Sequence, residues 1–130
     1  MEDRGRDTEM KVSVIIPTCN SEKTLERALQ SVRNQTADCE IEILLCDDHS
    51  RDLTWLLEMT DKYGCRLLRV RDGSGGPNYG RNLGIQNATG DLIAFLDHDD
   101  QWLPWKLKEQ IKQIENGAEF VYSPSITVKD

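Results

Sequence analysis

An α/β fold with a mostly parallel sheet and helices on both faces is predicted by three observations. Short β-branched or apolar runs alternate with stretches of helical periodicity along the whole chain. The run Leu92 to Leu96 is apolar and bounded by turn signals, as in a strand buried on both faces of a parallel sheet. Polar clusters follow three of the apolar runs, where the carboxyl ends of parallel strands form a ligand crevice.

The elements follow in order. Residues 1–10, MEDRGRDTEM, are polar and lack the apolar core of a signal peptide, so they read as a disordered tail before one domain over 11–130. Val12 to Ile16, closed by Pro17, is a β-branched first strand. Asn20 or Ser21 can cap a helix whose apolar face is Leu25, Ala28, Leu29 and Val32. Ile41 to Cys46 is a second strand. Ser50 can cap a second helix, with Leu53, Leu56 and Leu57 inward and Gly64 as its stop. Arg66 to Val70 is a third strand, followed by the glycine-rich loop 72–76. Pro77 opens a helix to about Ala88, with Gly90 just past its end. Leu92 to Leu96 is the fourth strand. Pro104 opens another helix with Leu107, Ile111 and Ile114 on one face, and Glu119 to Tyr122 begins a fifth strand.

The bulk properties narrow the function. The 130 residues carry a net charge of −7 and no basic stripe, which disfavours nucleic acid and anionic membrane surfaces. No apolar run reaches the ~20 residues of a membrane span. Cys19, Cys39, Cys46 and Cys65 form no C-x-x-C pair; they suggest a reducing, cytoplasmic setting, with Cys19 and Cys46 as small core residues.

The sharpest signal is Asp97-His98-Asp99-Asp100 at the end of the fourth strand. Crowded carboxylates repel unless a cation or donor groups balance them, and oxygen-only ligands suit Mg²⁺ or Mn²⁺. Alone, the cluster fits equally a solvated acidic turn before the helix at Pro104. Pro17-Thr18-Cys19-Asn20 and Asp47-Asp48-His49-Ser50 end the first two strands. Alone, Thr18 and Asn20 fit helix caps, and Asp48 fits an Asx turn. His49 and His98 read as loop residues rather than metal ligands. Gly80 and Gly84 share a helix face beside Arg81 and Asn82, and each glycine costs ~1 kcal/mol there relative to alanine, which suggests a close approach to the sheet or a ligand.

The runs VSVIIPTCN, LLCDDHS and GRNLGIQNATGDLIAFLDHDD together resemble the donor-binding half of family 2 glycosyltransferases, over roughly residues 11–123. The resemblance implies a Rossmann-like GT-A fold and transfer of a sugar, with inversion, from a nucleotide-diphosphate donor, a UDP-sugar above others. The acceptor would be a hydroxyl of a saccharide or lipid-linked molecule. It implies nucleotide contacts at Pro17 and Thr18 and a base contact at Asp48. Arg81 and Asn82 match the family's pair near the donor. Asp97 and Asp99 match the D-x-D acids, with Asp99 as metal ligand, and Cys19 replaces a common aromatic. The expected donor-binding set is Pro17, Thr18, Asn20, Asp48, Arg81, Asn82, Asp97 and His98, with Asp99 and Asp97 as metal ligands. The family's general base lies downstream of the D-x-D motif, so it is expected beyond residue 130, leaving donor binding without turnover as the alternative. A sugar nucleotidyltransferase fits less well, because the loop after the first strand, Thr18 to Ser21, lacks glycine and arginine. A phospho-receiver domain fits poorly, because its acid pair would follow the first strand and not the second.

Overall fold

A computed structural model describes residues 10–70, 76–117 and 126–127. Strands β1 (Lys11–Thr18), β2 (Glu40–Asp47), β3 (Arg66–Arg69) and β4 (Leu92–Phe95) form one parallel sheet in the order β3-β2-β1-β4. The helices are α1 (Leu25–Arg33), α2 (Leu53–Tyr63), α3 (Gly76–Asn87) and α4 (Lys106–Glu115). Short strands β5 (Asp100–Gln101) and β6 (Ile126–Thr127) pair antiparallel, which the sequence did not signal. The expected strand at Glu119 to Tyr122, loop residues 72–75 and tail residues 1–9 lie outside the described residues.

Both faces of the sheet carry helices, as expected. Val12, Val14 and Ile16 point to one face and pack with Leu25, Leu29, Val32 and Leu56 in the main core. Ile15, Leu44 and Cys46 point to the other and form a second core. There α3 lies close, because its glycines admit it. A Cβ on Gly84 would sit 2.6 Å from Ile15 Cγ2, and one on Gly80 would sit 3.4 Å from the Cys46 carbonyl oxygen. The close approach inferred from these glycines is therefore to the sheet.

Several expectations need correction. The fourth strand is not buried on both faces: Ile93 is 43% and Phe95 45% exposed. Among the described residues it is an edge strand paired with β1, and Phe95 is in register with Ile15 on the α3 face. Helix α3 lies over β1, β2 and β3, so its cover stops short of β4. In α2, Leu53 and Leu57 are exposed, while Leu56 and Met59 are buried. Three leucines in five positions fit more than one stripe, and the buried spacing is i, i+3. Asp52, not Ser50, caps α2 by accepting from Trp55 N at 3.0 Å. Neither Asn20 nor Ser21 caps α1 with its side chain: the N-cap is Thr24, after a turn in which the Ser21 carbonyl accepts from Thr24 N and Leu25 N. Gly64 ends α2 in the left-handed region at φ 67°, as expected. Helix α4 starts two residues after Pro104, whose carbonyl accepts from Thr36. Cys46 is buried but Cys19 is exposed, because β1 ends at Thr18 and the chain turns out through Asn20.

A polar node holds the amino end of the sheet and delivers β4 to β1. The Glu42 carboxylate on β2 accepts from Ser13 Oγ (2.6 Å), Thr89 N (3.0 Å), Thr89 Oγ1 (3.0 Å) and Arg66 Nη1 (3.1 Å). Ser13 Oγ in turn accepts from Gly90 N at 2.8 Å. Partial burial pushes the Glu42 carboxyl up, but the Ser13, Thr89 and Arg66 hydrogen bonds outweigh it and hold its pKa down to about 2. A depressed folded-state pKa stabilises above the unfolded value of 4.5, and that stabilisation is lost as pH falls towards 2. Glu42→Gln is expected to cost on the order of 2–3 kcal/mol at pH 7 and to flatten the loss of stability between pH ~4.5 and ~2. Denaturant titrations of both proteins across that range test this; parallel pH profiles would refute it.

Candidate nucleotide and metal site

The carboxyl ends of β2, β1 and β4 lie side by side, and the three polar clusters meet there. At the β2 end the last residue of the strand, Asp47, has a fully buried carboxylate. It accepts from Thr18 Oγ1 (3.1 Å), Ser50 N (3.1 Å), Ser50 Oγ, and Arg69 Nε (3.1 Å). Asp48 follows, with its backbone N–H donating to the Thr18 carbonyl at 2.9 Å and its Oδ1 3.1 Å from His49 Nδ1. Asp48 is partly exposed, whereas its neighbour Asp47 is not.

Asn20 and His49 adopt left-handed conformations at φ 50° and 61°, which non-glycine residues rarely do. Asn20 N donates to Ser50 Oγ at 2.9 Å, and Asn20 Oδ1 accepts from Arg51 N at 2.8 Å. The loops after β1 and β2 are thus locked together. The Thr18 hydroxyl is spent on Asp47, and Thr18 and Pro17 are both buried. Cys19 is exposed beside them, and partial desolvation followed by the Asp48 and Asp47 charges raises its thiol pKa.

At the β4 end, Asp97, Asp99 and Asp100 each bring an oxygen within 4.8 Å of the others. A tight turn holds them, with Asp100 N donating to the Asp97 carbonyl at 3.0 Å. Arg81 Nη2 on α3 donates to Asp97 Oδ1 at 2.8 Å. Arg81 is also 3.3 Å from Asn78 Oδ1, and Asn82, the next residue of α3, is exposed. His98 Nδ1 lies 3.0 Å from Thr24 Oγ1 at the start of α1. The donor set is all oxygen, with one guanidinium at its margin. That chemistry fits a hard divalent cation, with Asp97, Asp99 and Asp100 as its available ligands.

The carboxyl edge of the sheet therefore has the Asp48 carboxylate at its β2 end and the acidic cluster with Arg81 at its β4 end. The model of glycosyl transferase family 2 matches residues 13–130. The chain belongs to that family. As a family 2 glycosyltransferase it is 39% identical over 114 residues to the Escherichia coli UDP-Glc:alpha-D-GlcNAc-diphosphoundecaprenol beta-1,3-glucosyltransferase WfgD, covering 85% of this chain and 44% of the relative. It is 31% identical over 123 residues to the Campylobacter jejuni GalNAc(5)-diNAcBac-PP-undecaprenol beta-1,3-glucosyltransferase, covering 92% and 40%. The chain spans less than half the length of these curated relatives. Among solved structures, Staphylococcus aureus TarS 1–349 in complex with UDP-GlcNAc superposes with a TM-score of 0.74 at 29% identity, over 88% of this chain and 37% of that one. The Pyrobaculum calidifontis mannosyltransferase PcManGT, in complex with GDP-Man and Mn²⁺, shares the fold with a TM-score of 0.73 at 21% identity, over 87% and 34%. The GT-A fold of the family is thus the fold of this chain.

The residues that the motifs of this glycosyltransferase left unmarked are Asp47, Ser50, Arg69 and Thr24. One signal for Asp47 was present: it directly follows the apolar run Ile43 to Cys46, and only one of two adjacent acids can face inward.

Proposed function

We propose that this domain binds a nucleotide-diphosphate sugar, uridine-linked, across the carboxyl ends of β2, β1 and β4, for transfer of the sugar to an acceptor hydroxyl. The observation that carries this reading is the convergence of three carboxylate oxygens within 4.8 Å, with Arg81 beside them, on the crevice edge that also holds Asp48. A diphosphate cannot approach a bare acidic cluster, because like charges at short range repel. A divalent ion on Asp99 and Asp97, Mg²⁺ or Mn²⁺, reconciles the two, and when bound it supplies Lewis-acid stabilisation of the departing diphosphate. Arg81 adds a guanidinium suited to phosphate oxygens. Asn82 and Asn20 line the same edge, and Pro17 and Thr18 form its floor.

At the other end Asp48 accepts a hydrogen bond from the N3–H of uracil. The UDP and UDP-GlcNAc complexes of TarS and the UDP-Glc donor in the E. coli relative's name support a uridine donor. The diphosphoundecaprenol acceptor in that name supports a lipid-linked or saccharide acceptor. The β linkages named for both relatives fit inversion of an α-linked nucleotide sugar. Four free cysteines agree with a cytoplasmic setting, and among the described residues no helix is long and apolar enough to cross a membrane.

Adenine offers no ring N–H to Asp48 in the place of uracil N3–H, so ADP leaves a desolvated carboxylate unpaired. That costs ~1–3 kcal/mol, or roughly 10- to 100-fold in affinity. Calorimetry in Mn²⁺ is expected to show UDP bound more tightly than ADP by that factor. Equal affinities would overturn the uridine assignment.

A further inference from the structure

We infer that Asp47 is the positioning residue for base recognition: it holds Asp48 in register without touching the donor. The inference rests on the reading of Asp48 as the base acceptor. Asp47 is buried, and a buried carboxylate is costly unless its oxygens are paired. Two of its partners, Thr18 and Arg69, come from segments remote in sequence, and the third, Ser50, lies three residues further along the same loop. Thr18 is the last residue of β1, Ser50 belongs to the loop after β2, and Arg69 is the last residue of β3. The Asp47 carbonyl also accepts from Val70 N at 2.8 Å, just past β3.

The grip is transmitted through Ser50. Its hydroxyl donates to Asp47 Oδ1, which leaves its oxygen free to accept from Asn20 N at 2.9 Å. Two left-handed residues, Asn20 and His49, are held by this chain of bonds, and each such conformation costs ~1–2 kcal/mol. His49 lies between Asp48 and Ser50, and Asp48 lies between Asp47 and His49. Both neighbours of Asp48 are therefore fixed, one by burial of its carboxylate and one by the turn that Ser50 closes. The Asp48 N–H is fixed too, on the Thr18 carbonyl at 2.9 Å. Little freedom remains in how the Asp48 carboxylate meets a base. A brace that served stability alone would not need to converge on the two loops flanking that carboxylate.

The test measures UDP and ADP affinities in Mn²⁺ for the wild-type chain and for Ser50→Ala, Ser50→Thr, Asp47→Asn and Asp48→Ala, each confirmed folded by circular dichroism. Asp48→Ala removes the acceptor and is expected to abolish the preference for UDP. Ser50→Ala and Asp47→Asn are expected to reduce it by on the order of 3- to 10-fold, the coupling usual within one hydrogen-bond network. Ser50→Thr keeps the hydroxyl and is expected to retain the preference. Should Asp47→Asn fail to fold, Ser50→Ala carries the test, because it leaves the ion pair of the buried Asp47 with the exposed Arg69 intact. A purely structural brace predicts lower melting temperatures with an unchanged UDP-to-ADP ratio, and that result overturns the inference. If Asp48→Ala itself keeps the ratio, the base reading fails and Asp47 has nothing to position.

Discussion

Asp99→Asn is expected to lower UDP affinity in Mn²⁺ by on the order of 100-fold or more while leaving the fold intact. The size follows from the several kcal/mol of charge stabilisation that a bound divalent ion supplies, at 1.4 kcal/mol per tenfold. Asp99 is singled out within the cluster by its partners. Asp97 already shares its carboxylate with Arg81. Asp100 is drawn into β5. Among the described residues Asp99 has no hydrogen bond or ion pair, so both its oxygens can serve a cation. It is also half-buried, which strengthens its pull on a cation relative to an exposed acid. Asparagine keeps its shape and removes the charge. The fold should survive, because no core contact depends on this side chain. Isothermal titration of UDP with Mn²⁺ into the variant measures the effect; affinity within a few-fold of wild type would show that another group holds the ion.

The second large effect concerns stability. Gly90→Ala is expected to destabilise the domain by about 3 kcal/mol, lowering the melting temperature by roughly 10 °C. A Cβ on Gly90 would lie 2.7 Å from Ser13 N, 2.7 Å from Ser13 Oγ and 2.9 Å from the Lys11 carbonyl oxygen. Two of these atoms are backbone in β1 and cannot yield without shifting the strand. Gly90 N also donates to Ser13 Oγ, and Asp91 N donates to the Lys11 carbonyl at 2.7 Å, so displacement would loosen the start of β4. Since β4 presents the acidic cluster, the same variant should weaken metal-dependent binding as well. Thermal melts decide the matter: a shift of less than ~2 °C would mean that the turn relaxes freely.

This glycine shows where the sequence stopped being legible. Gly90 was readable as a residue just past a helix, but its requirement is for space against β1, which only the tertiary approach reveals. The order of strands and helices was readable, because apolar runs and helical stripes report burial directly. The grouping of Thr18, Asp48 and Asp97 at one edge was readable for the same reason, since parallel strands share a carboxyl end. The faces of α2 were not, because Leu53, Leu56 and Leu57 offer competing stripes and packing chose Leu56 with Met59. The exposure of Ile93 and Phe95 was not either, since an apolar run looks the same at the edge of a sheet as at its centre. The bond between His98 and Thr24 was not readable, because it joins residues 74 positions apart. Asp47 was hidden by its neighbour: two adjacent aspartates look alike until one is placed inside the sheet.

A divalent ion held by Asp97 and Asp99 would let a nucleotide diphosphate approach the acidic cluster. Titrating UDP into the wild-type chain in Mn²⁺, and again after chelation with excess EDTA, tests this most directly. The predicted result is measurable binding in Mn²⁺ that weakens by about 100-fold or more on chelation. UDP affinity that is the same with and without the ion would contradict it.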